Sequence, residues 1–139
     1  MKKNNWLFLF LITIASACSF PSKEELKLKQ YKVEGQKLYL THCSNCHQAD
    51  GKGLGKVYPP LNTSDYMANN IDKVLCIMRN GMKEEITVNG VTYNQLMPGI
   101  PELTDLEVAE IATYIYNSWG YEEGLIGVGS IENKKKNCD

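Results

Sequence analysis

The chain has 139 residues, of which 43% are hydrophobic, and its 15 basic and 16 acidic side chains leave one net negative charge. This length and composition predict one small domain, and the even charge balance gives no support for a nucleic-acid partner. The absence of a Ser/His/Asp array and of a phosphate-binding loop argues against a small-molecule substrate.

The N-terminus has the pattern of a targeting segment. Lys2 and Lys3 precede an apolar run over residues 6–14, and the small residues Ala15-Ser16-Ala17 follow. This order is typical of a secretory signal peptide, here residues 1–17. The apolar run is shorter than the roughly 20 residues that a spanning helix needs. The sequence therefore predicts export across a membrane.

Removal of that segment leaves Cys18 as the first residue. The string Ala15-Ser16-Ala17-Cys18 resembles the lipobox of bacterial lipoproteins, although Ala15 stands where that pattern favours Leu. The resemblance implies an acylated Cys18 on a polar tether, residues 18–29, with several acyl chains giving stable anchoring. The alternative is an ordinary cleavage site followed by an incidental cysteine. We expect a membrane-anchored lipoprotein that faces the periplasm.

The predicted domain covers residues 30–121 and opens with a helix that begins between Glu24 and Tyr31. Ser22 and Glu25 have the spacing of a capping box. Apolar and small residues then recur at helical spacing on one stripe: Tyr31, Gly35, Leu38 and Tyr39. Gly35 indicates a close approach to another helix, and the alternative is a tolerated surface glycine.

That helix leads into the motif Cys43-Ser44-Asn45-Cys46-His47, a C-x-x-C-H string. C-x-x-C-H is the attachment signature of c-type haem, because two thiols on one helical turn can each bind one porphyrin vinyl group. The adjacent His47 is then the proximal iron ligand. One alternative is a dithiol redox site, but the βαβ pattern that usually surrounds such a site is missing here. The other is a zinc site, but its four ligands, the motif's two cysteines and His47 together with His42, would crowd into six residues. The sequence predicts one covalent haem c.

The middle of the chain alternates loops with short elements. Glycines and prolines mark a loop up to Pro60, after which Leu61 is the first apolar residue placed to cover a haem edge. A helix is predicted over residues 71–80, and a hairpin around Asn89-Gly90. Tyr93, at the end of that hairpin, is predicted to be a core or haem-edge aromatic. Thr104 and Glu107 open the last helix with a capping box; its apolar residues are Leu106, Val108, Ile111, Ala112, Tyr114 and Ile115.

Methionine is the expected sixth ligand of the iron. Met97 is preferred, because it precedes Pro98 in an irregular segment whose backbone can aim it. Met78 has the pattern of core filler, and Met67 falls in a polar turn. Met82 remains an alternative if the helix over 71–80 crosses the distal face, and a site without a protein ligand is another. His42 lies too close to Cys43 to reach the opposite side of a haem.

Residues 122–139 are predicted to form a polar C-terminal tail with solvated lysines at 134–136. An exported protein can form disulfides, so Cys76 and Cys138 are candidates for a pair, but the sequence does not decide the connectivity.

From about Tyr31 to Gly120 the chain resembles the class I cytochrome c family. The resemblance rests on the C-x-x-C-H motif and on a set of residues around it: Gly35, Tyr39, Gly51, Gly53, Pro59, Pro60, Leu61, Met97, Pro98, Ile111 and Tyr114. It implies an all-α fold of three to four helices around one covalent haem, with the hairpin before the axial-methionine loop. It also implies that the Pro59 carbonyl accepts from His47 Nδ1–H, and that Gly35 packs against the last helix. The hairpin is more like small bacterial members than like the mitochondrial type.

Three functions are compatible with these features. The first is an electron carrier, not an enzyme, that exchanges single electrons with redox partner proteins. The second is a haem subunit of a larger reductase or oxidase complex. The third is an open-site haem sensor or peroxidase, which needs a labile or absent sixth ligand and is therefore disfavoured by Met97.

Overall fold

The computed structural model describes residues 20–135 and residue 138, so the predicted signal peptide and Cys18 lie outside the described residues. The described part contains six helices and one hairpin, in this order: α1 (Lys23–His42), α2 (Ser44–His47), α3 (Asp65–Asn69), α4 (Ile71–Asn80), β1 (Ile86–Val88), β2 (Val91–Tyr93), α5 (Asp105–Ile115) and α6 (Val128–Lys135). The all-α prediction with a small hairpin is confirmed. The helix number exceeds three to four because α2 and α3 are single turns and because α6 forms in the predicted tail.

Helix α1 begins at Lys23, because the Ser22 hydroxyl accepts a hydrogen bond from the Glu25 backbone N–H at 3.1 Å. The Glu25 carboxylate pairs forward with Lys29 at 3.0 Å instead of closing the reciprocal half of a capping box. The helix thus begins one residue before the predicted range of Glu24 to Tyr31, and residues 23–29 of the predicted polar tether form its first two turns.

The centre of the fold is the crossing of α1 and α5 at Gly35. A Cβ atom at this position would overlap the Glu110 carbonyl oxygen and press on the Tyr114 side chain. Only glycine lets the two backbones approach this closely. One turn later, the buried Tyr39 ring packs on the rings of Tyr114 and Trp119, with centroids 5.4 and 5.6 Å apart. The predicted contact of Gly35 with the helix that Thr104 opens, here α5, is confirmed.

Helix α4 and the hairpin also follow the sequence prediction. Helix α4 ends at Gly81, whose φ of +74° favours glycine. In the hairpin, Asn89 and Gly90 both have positive φ, which is the conformation of a type I′ turn. Ile86 pairs with Tyr93 across the two strands.

Helix α5 opens with the predicted capping box of Thr104 and Glu107. It ends at Ile115 and is capped by Tyr116, whose N–H donates to the Ala112 carbonyl. Arg79 joins α4 to the start of α5: its guanidinium donates to the Leu103 carbonyl at 2.8 Å and pairs with Asp105 at 2.6 Å.

The C-terminal segment packs against the core in its described part, so the prediction of a polar tail over 122–139 does not hold there. Ile126 and Ile131 are buried in the core, and the Thr113 hydroxyl binds both backbone polar groups of Ile126, at 3.1 and 3.2 Å. These two isoleucines interrupt the polar pattern and cover α5 and α4. A disulfide between Cys76 and Cys138, with Cα atoms 5.4 Å apart, ties this segment to α4, and Lys134 pairs with Asp72.

The crossing of α1 and α5 gives a first prediction. Gly35→Ala should lower the free energy of unfolding by roughly 1–3 kcal/mol, because the added methyl group overlaps backbone atoms of α5. Gly129→Ala is the matched control, since Gly129 lies in α6 with open space around it. Denaturant unfolding followed by circular dichroism measures both. Equal stability of the Gly35 variant and the parent would contradict the close approach.

The disulfide gives a second prediction. Replacing Cys76 and Cys138 together by serine should lower the free energy of unfolding by about 2–4 kcal/mol, because the bond closes a long loop in the unfolded chain. Asp72→Asn, which removes only the exposed ion pair with Lys134, should change it by less than about 1 kcal/mol. A serine double variant that unfolds at the parent's denaturant concentration would show that the C-terminal segment is held without the disulfide.

Candidate functional site

The Cys43–His47 motif forms a tight turn at the end of α1. The Cys43 N–H donates to the Tyr39 carbonyl at 2.9 Å, and the Cys43 carbonyl accepts from the His47 N–H at 3.0 Å. The thiols of Cys43 and Cys46 are free and half-buried. Burial, and then the neighbouring Cys46, raise the pKa of the Cys43 thiol to about 12, so this thiol is protonated at neutral pH.

The His47 imidazole is buried and oriented by one contact. Its Nδ1 lies 3.0 Å from the Pro59 carbonyl oxygen, as the resemblance implied. Because a carbonyl only accepts, Nδ1 carries the proton and Nε2 is left with its lone pair. Burial lowers the pKa of His47, against the opposing effect of the Pro59 contact, so the ring is neutral at pH 7. A neutral imidazole with a fixed tautomer is suited to bind a metal through Nε2.

Glycines hold the Pro59 carbonyl in place. Gly53, with a φ of +67°, donates its N–H to the His47 carbonyl at 3.0 Å and leaves no room for a Cβ beside the Tyr58 carbonyl. Gly51 packs against the Trp119 ring, and its carbonyl accepts from the Leu61 N–H at 2.7 Å. The sequence marked these glycines as loop residues, but their tight packing under the motif is visible only in the fold.

His47 faces an apolar cavity in the centre of the domain. Leu61 lines this cavity, as predicted, and so does Cys43; the other lining residues are Tyr39, Pro59, Pro60, Ser64, Tyr66, Met67, Val74, Ile77, Met78, Met82, Ile86, Val88, Met97, Ile111 and Ile115. Tyr93 is buried in an adjoining cavity that shares His47 and Met97 and also contains Cys46, and its hydroxyl donates to the Gly55 carbonyl at 3.4 Å.

Two methionines stand side by side in the wall of both cavities. Met82 and Met97 exchange two backbone hydrogen bonds, of 2.9 and 3.0 Å, in an isolated antiparallel bridge. Side chains of directly opposed residues project to the same face. Met82 therefore lies in the same wall of the cavity as Met97. It reaches this wall through the bridge after α4 and not as a residue of α4. The Tyr66 hydroxyl lies 4.0 Å from the Met82 sulfur, a weak contact.

Close backbone packing creates this methionine wall. A Cβ at Gly81 would meet the Met97 carbonyl and the Gly99 N–H group, and a Cβ at Gly99 would overlap the Arg79 carbonyl. The Ile100 N–H donates to the Met78 carbonyl at 3.0 Å. Sequence analysis missed this pairing; the available signal was a glycine next to Met82 and a Pro-Gly pair after Met97.

The remaining methionines have structural positions. Met67, expected in a polar turn, is buried because the Ser64 hydroxyl caps α3 and turns the Met67 side chain into the core. Met78 is buried on α4, as its core pattern predicted.

The donor set fits a covalently held haem better than a bare metal ion. Two free thiols and an oriented imidazole lie on one side of an apolar cavity, and thioethers line its wall. Within the described residues, no group of three or more His, Cys, Asp or Glu side chains is placed to hold a metal ion, which disfavours the zinc alternative.

Comparison with known proteins agrees with this site. The family model of cytochrome c matches residues 33–119, which is more than half of the chain. The chain belongs to the cytochrome c family. As a member, this cytochrome binds a covalent c-type haem, and the haem prediction is confirmed.

The relatives are of two kinds. Cytochrome c-552 of Thermus thermophilus is 29% identical over 93 residues, an alignment that covers 64% of this chain and 70% of that protein. The fructose dehydrogenase cytochrome subunit of Gluconobacter japonicus is 28% identical over 107 residues, 72% of this chain but 21% of that subunit. The cytochrome c subunit of the quinone alcohol dehydrogenase of Gluconacetobacter polyoxogenes is 30% identical over 91 residues, 19% of its length. The chain therefore spans about a fifth of the dehydrogenase subunits and most of a small cytochrome.

Proposed function

We propose that this cytochrome carries single electrons between membrane-associated respiratory partners on the periplasmic side. The observation that carries the proposal is the pairing of an oriented imidazole with a thioether wall that is fixed by backbone hydrogen bonds. When bound, the haem supplies one-electron chemistry through its iron. His47 and a methionine of the cavity wall would hold the iron between them, and a metal with two protein donors would suit electron transfer and not the binding of a substrate.

Each residue of the site has a distinct proposed role. Cys43 and Cys46 hold the porphyrin through thioether bonds, and His47 binds the iron through Nε2. The Pro59 carbonyl keeps the proton on Nδ1 and the ring in one orientation, which raises the basicity of the ligand. Leu61 and the other apolar walls exclude water, while Tyr93 closes the outer cavity beside Cys46.

Met97 is the proposed sixth ligand, and Met82 the competing candidate. Pro98 and the backbone contacts of Gly99 confine the segment that carries Met97. The Met82 sulfur already has one weak contact, with the Tyr66 hydroxyl at 4.0 Å. A histidine–methionine pair gives a haem a higher reduction potential than two histidine ligands do. An open-site sensor or peroxidase is disfavoured because two thioethers border the cavity.

A second candidate function is that of a haem subunit in a dehydrogenase or related complex. The two dehydrogenase relatives are named as cytochrome subunits, and the region similar to this chain covers about a fifth of each. In that case the haem would exchange electrons with a protein bound permanently in the same complex, and not with a partner that it meets by diffusion.

Export and anchoring complete the proposal. Residues 1–17 act as a signal peptide, and Cys18 is acylated, so the domain is held on the membrane by lipid. Among the described residues, no helix has both the length and the apolar character needed to cross a bilayer. An external anchor is consistent with that finding.

Haem attachment is tested by mass. Protein from a host that matures c-type cytochromes should exceed its polypeptide mass by one haem, and acid–acetone should not extract the haem. Cys43→Ser and Cys46→Ser together should abolish this covalent addition, because no thiol remains to bind a vinyl group. Haem that extracts freely from the parent protein would contradict the role of the two cysteines.

The sixth ligand is tested by spectroscopy of matched alanine variants. Met97→Ala should remove the weak sulfur-to-iron band of the ferric protein, lower the reduction potential and open the iron to carbon monoxide or cyanide. Met82→Ala is the control and should do none of these. Loss of the band in Met82→Ala alone would make Met82 the ligand. Rapid carbon monoxide binding by the ferrous parent would instead favour the sensor or peroxidase function.

The anchor is tested by phase partition. The parent protein should enter the detergent phase, and Cys18→Ala should release it into the aqueous phase or leave it unprocessed, because the acylated thiol is lost. Mass analysis of the mature N-terminus gives the modification directly. A parent protein with an unmodified Cys18 that stays in the aqueous phase would exclude the lipid anchor and leave the haem site unaffected.

A further inference from the structure

Helix α1 exposes apolar side chains on the face turned away from the core. Leu26, Val33 and Leu40 are 47, 53 and 47% exposed. They follow one another at intervals of seven residues, so they form a single line along one side of the helix. From Leu26 to Leu40 this line is about 21 Å long. Neither the packing on α5 nor the haem site accounts for it.

The residues beside this line are polar. Lys29 lies three positions after Leu26, and Lys37 lies three positions before Leu40, so both lysines share its face. Both are largely exposed and pair with Glu25 and Glu34, at 3.0 and 2.8 Å. A helical partner would need apolar residues at two positions of each heptad. A single apolar line bordered by lysines is better suited to the interface of a bilayer, where the apolar tips insert and the ammonium groups stay at the headgroups.

The charge of α1 differs in sign from that of the remaining chain. Five lysines and three glutamates give α1 two net positive charges. The rest of the chain from Cys18 onward has eight basic and thirteen acidic residues, which is five net negative charges. Anionic headgroups attract lysines near the surface and repel the acidic body. The charge distribution therefore favours contact through α1 alone.

Helix α1 begins close to the proposed anchor at Cys18. Lys23, its first residue, is five residues after Cys18, and Phe20 between them is 90% exposed. Aromatic side chains are favoured at membrane–water interfaces. Phe20, Leu26, Val33 and Leu40 thus lie in sequence from the proposed anchor toward the haem motif.

We propose that this outward face of α1, defined by Leu26, Val33, Leu40, Lys29 and Lys37, docks on an anionic phospholipid surface. The inference deepens the proposed membrane location, but it does not depend on acylation of Cys18. Docking lays α1 along the bilayer, with α5 on the opposite, water-facing side, because α5 packs on the other face of α1. With both the acyl anchor and the α1 face in contact with the bilayer, the domain has a fixed orientation. An acyl anchor alone would let the domain rotate.

The test uses the haem-loaded mature chain with Cys18→Ala, so that no acyl group contributes. Binding to vesicles of phosphatidylglycerol and phosphatidylcholine is measured by co-sedimentation at low and high salt. The protein should bind, and less so at high salt. Leu26→Gln, Val33→Gln and Leu40→Gln together should weaken binding by about tenfold or more, because three apolar side chains no longer insert. Lys29→Gln with Lys37→Gln should weaken binding to vesicles that contain phosphatidylglycerol. The same pair of changes should leave binding to vesicles of phosphatidylcholine alone unchanged.

The matched control replaces three equally exposed apolar residues outside α1 by glutamine: Leu54, Val57 and Leu106. This control should bind as the parent does. Absence of vesicle binding by the Cys18→Ala protein, or equal losses in the two glutamine triples, would overturn the proposal. A dimer that the α1 triple dissolves, seen by light scattering without vesicle binding, would also overturn it and make a second copy the partner. Haem content and the sulfur-to-iron band, recorded on the same samples, test the carrier function separately.

Discussion

The close crossing of α1 and α5 at Gly35 positions the rest of the molecule. With no Cβ at Gly35, the backbone of α1 contacts the Glu110 carbonyl region directly. The Tyr39 ring then reaches the Tyr114 and Trp119 rings, and its hydroxyl donates to the Gln48 carbonyl at 2.6 Å. That contact holds the residue after His47. The orientation of the haem motif at the end of α1 is thus set by where α1 meets α5.

The two walls of the haem cavity are built by the same device, glycine-dependent backbone contact. On the His47 side, Gly53 lets the loop close under the motif so that the Pro59 carbonyl meets Nδ1. On the methionine side, Gly81 and Gly99 allow the segments that carry Met82 and Met97 to approach closely. The backbone bridge between these segments fixes the positions of the two methionine backbones. Backbone hydrogen bonds restrain the segments that carry His47 and the two methionines. If these residues hold the haem as proposed, such restraint would keep reorganisation on reduction small, which the proposed electron transfer requires.

The outer elements restrain the cavity from behind. Helix α4 supplies part of its wall and is held at two points: Arg79, near its C-terminal end, ties it to the start of α5, and the Cys76–Cys138 disulfide ties its middle to the C-terminal segment. Burial of Ile126 and Ile131 adds an apolar cover where the sequence suggested a free tail. Helix α1, in contrast, keeps one face uncovered. The C-terminal segment therefore covers one side of the structure, and the outward face of α1, proposed above as a docking surface, stays exposed.

The sequence by itself determined the chemistry and the local elements. The C-x-x-C-H spacing is a local property of one helical turn, and it predicted a covalent haem, with Cys43, Cys46 and His47 as the residues proposed to hold it. The capping box of Thr104 and the Asn89-Gly90 turn were also readable, because each depends on neighbours a few residues away. The family resemblance added the Pro59 contact and the role of Gly35.

Only the tertiary structure decided which distant residues meet. The bridge of Met82 with Met97, the pairing of Cys76 with Cys138 and the burial of Met67 all join segments far apart in the chain, and periodicity carries no information about such pairs. The C-terminal segment was misjudged for the same reason. Two isoleucines are too few to give a recognisable pattern, yet they suffice to bury a segment when α5 presents an apolar surface to them.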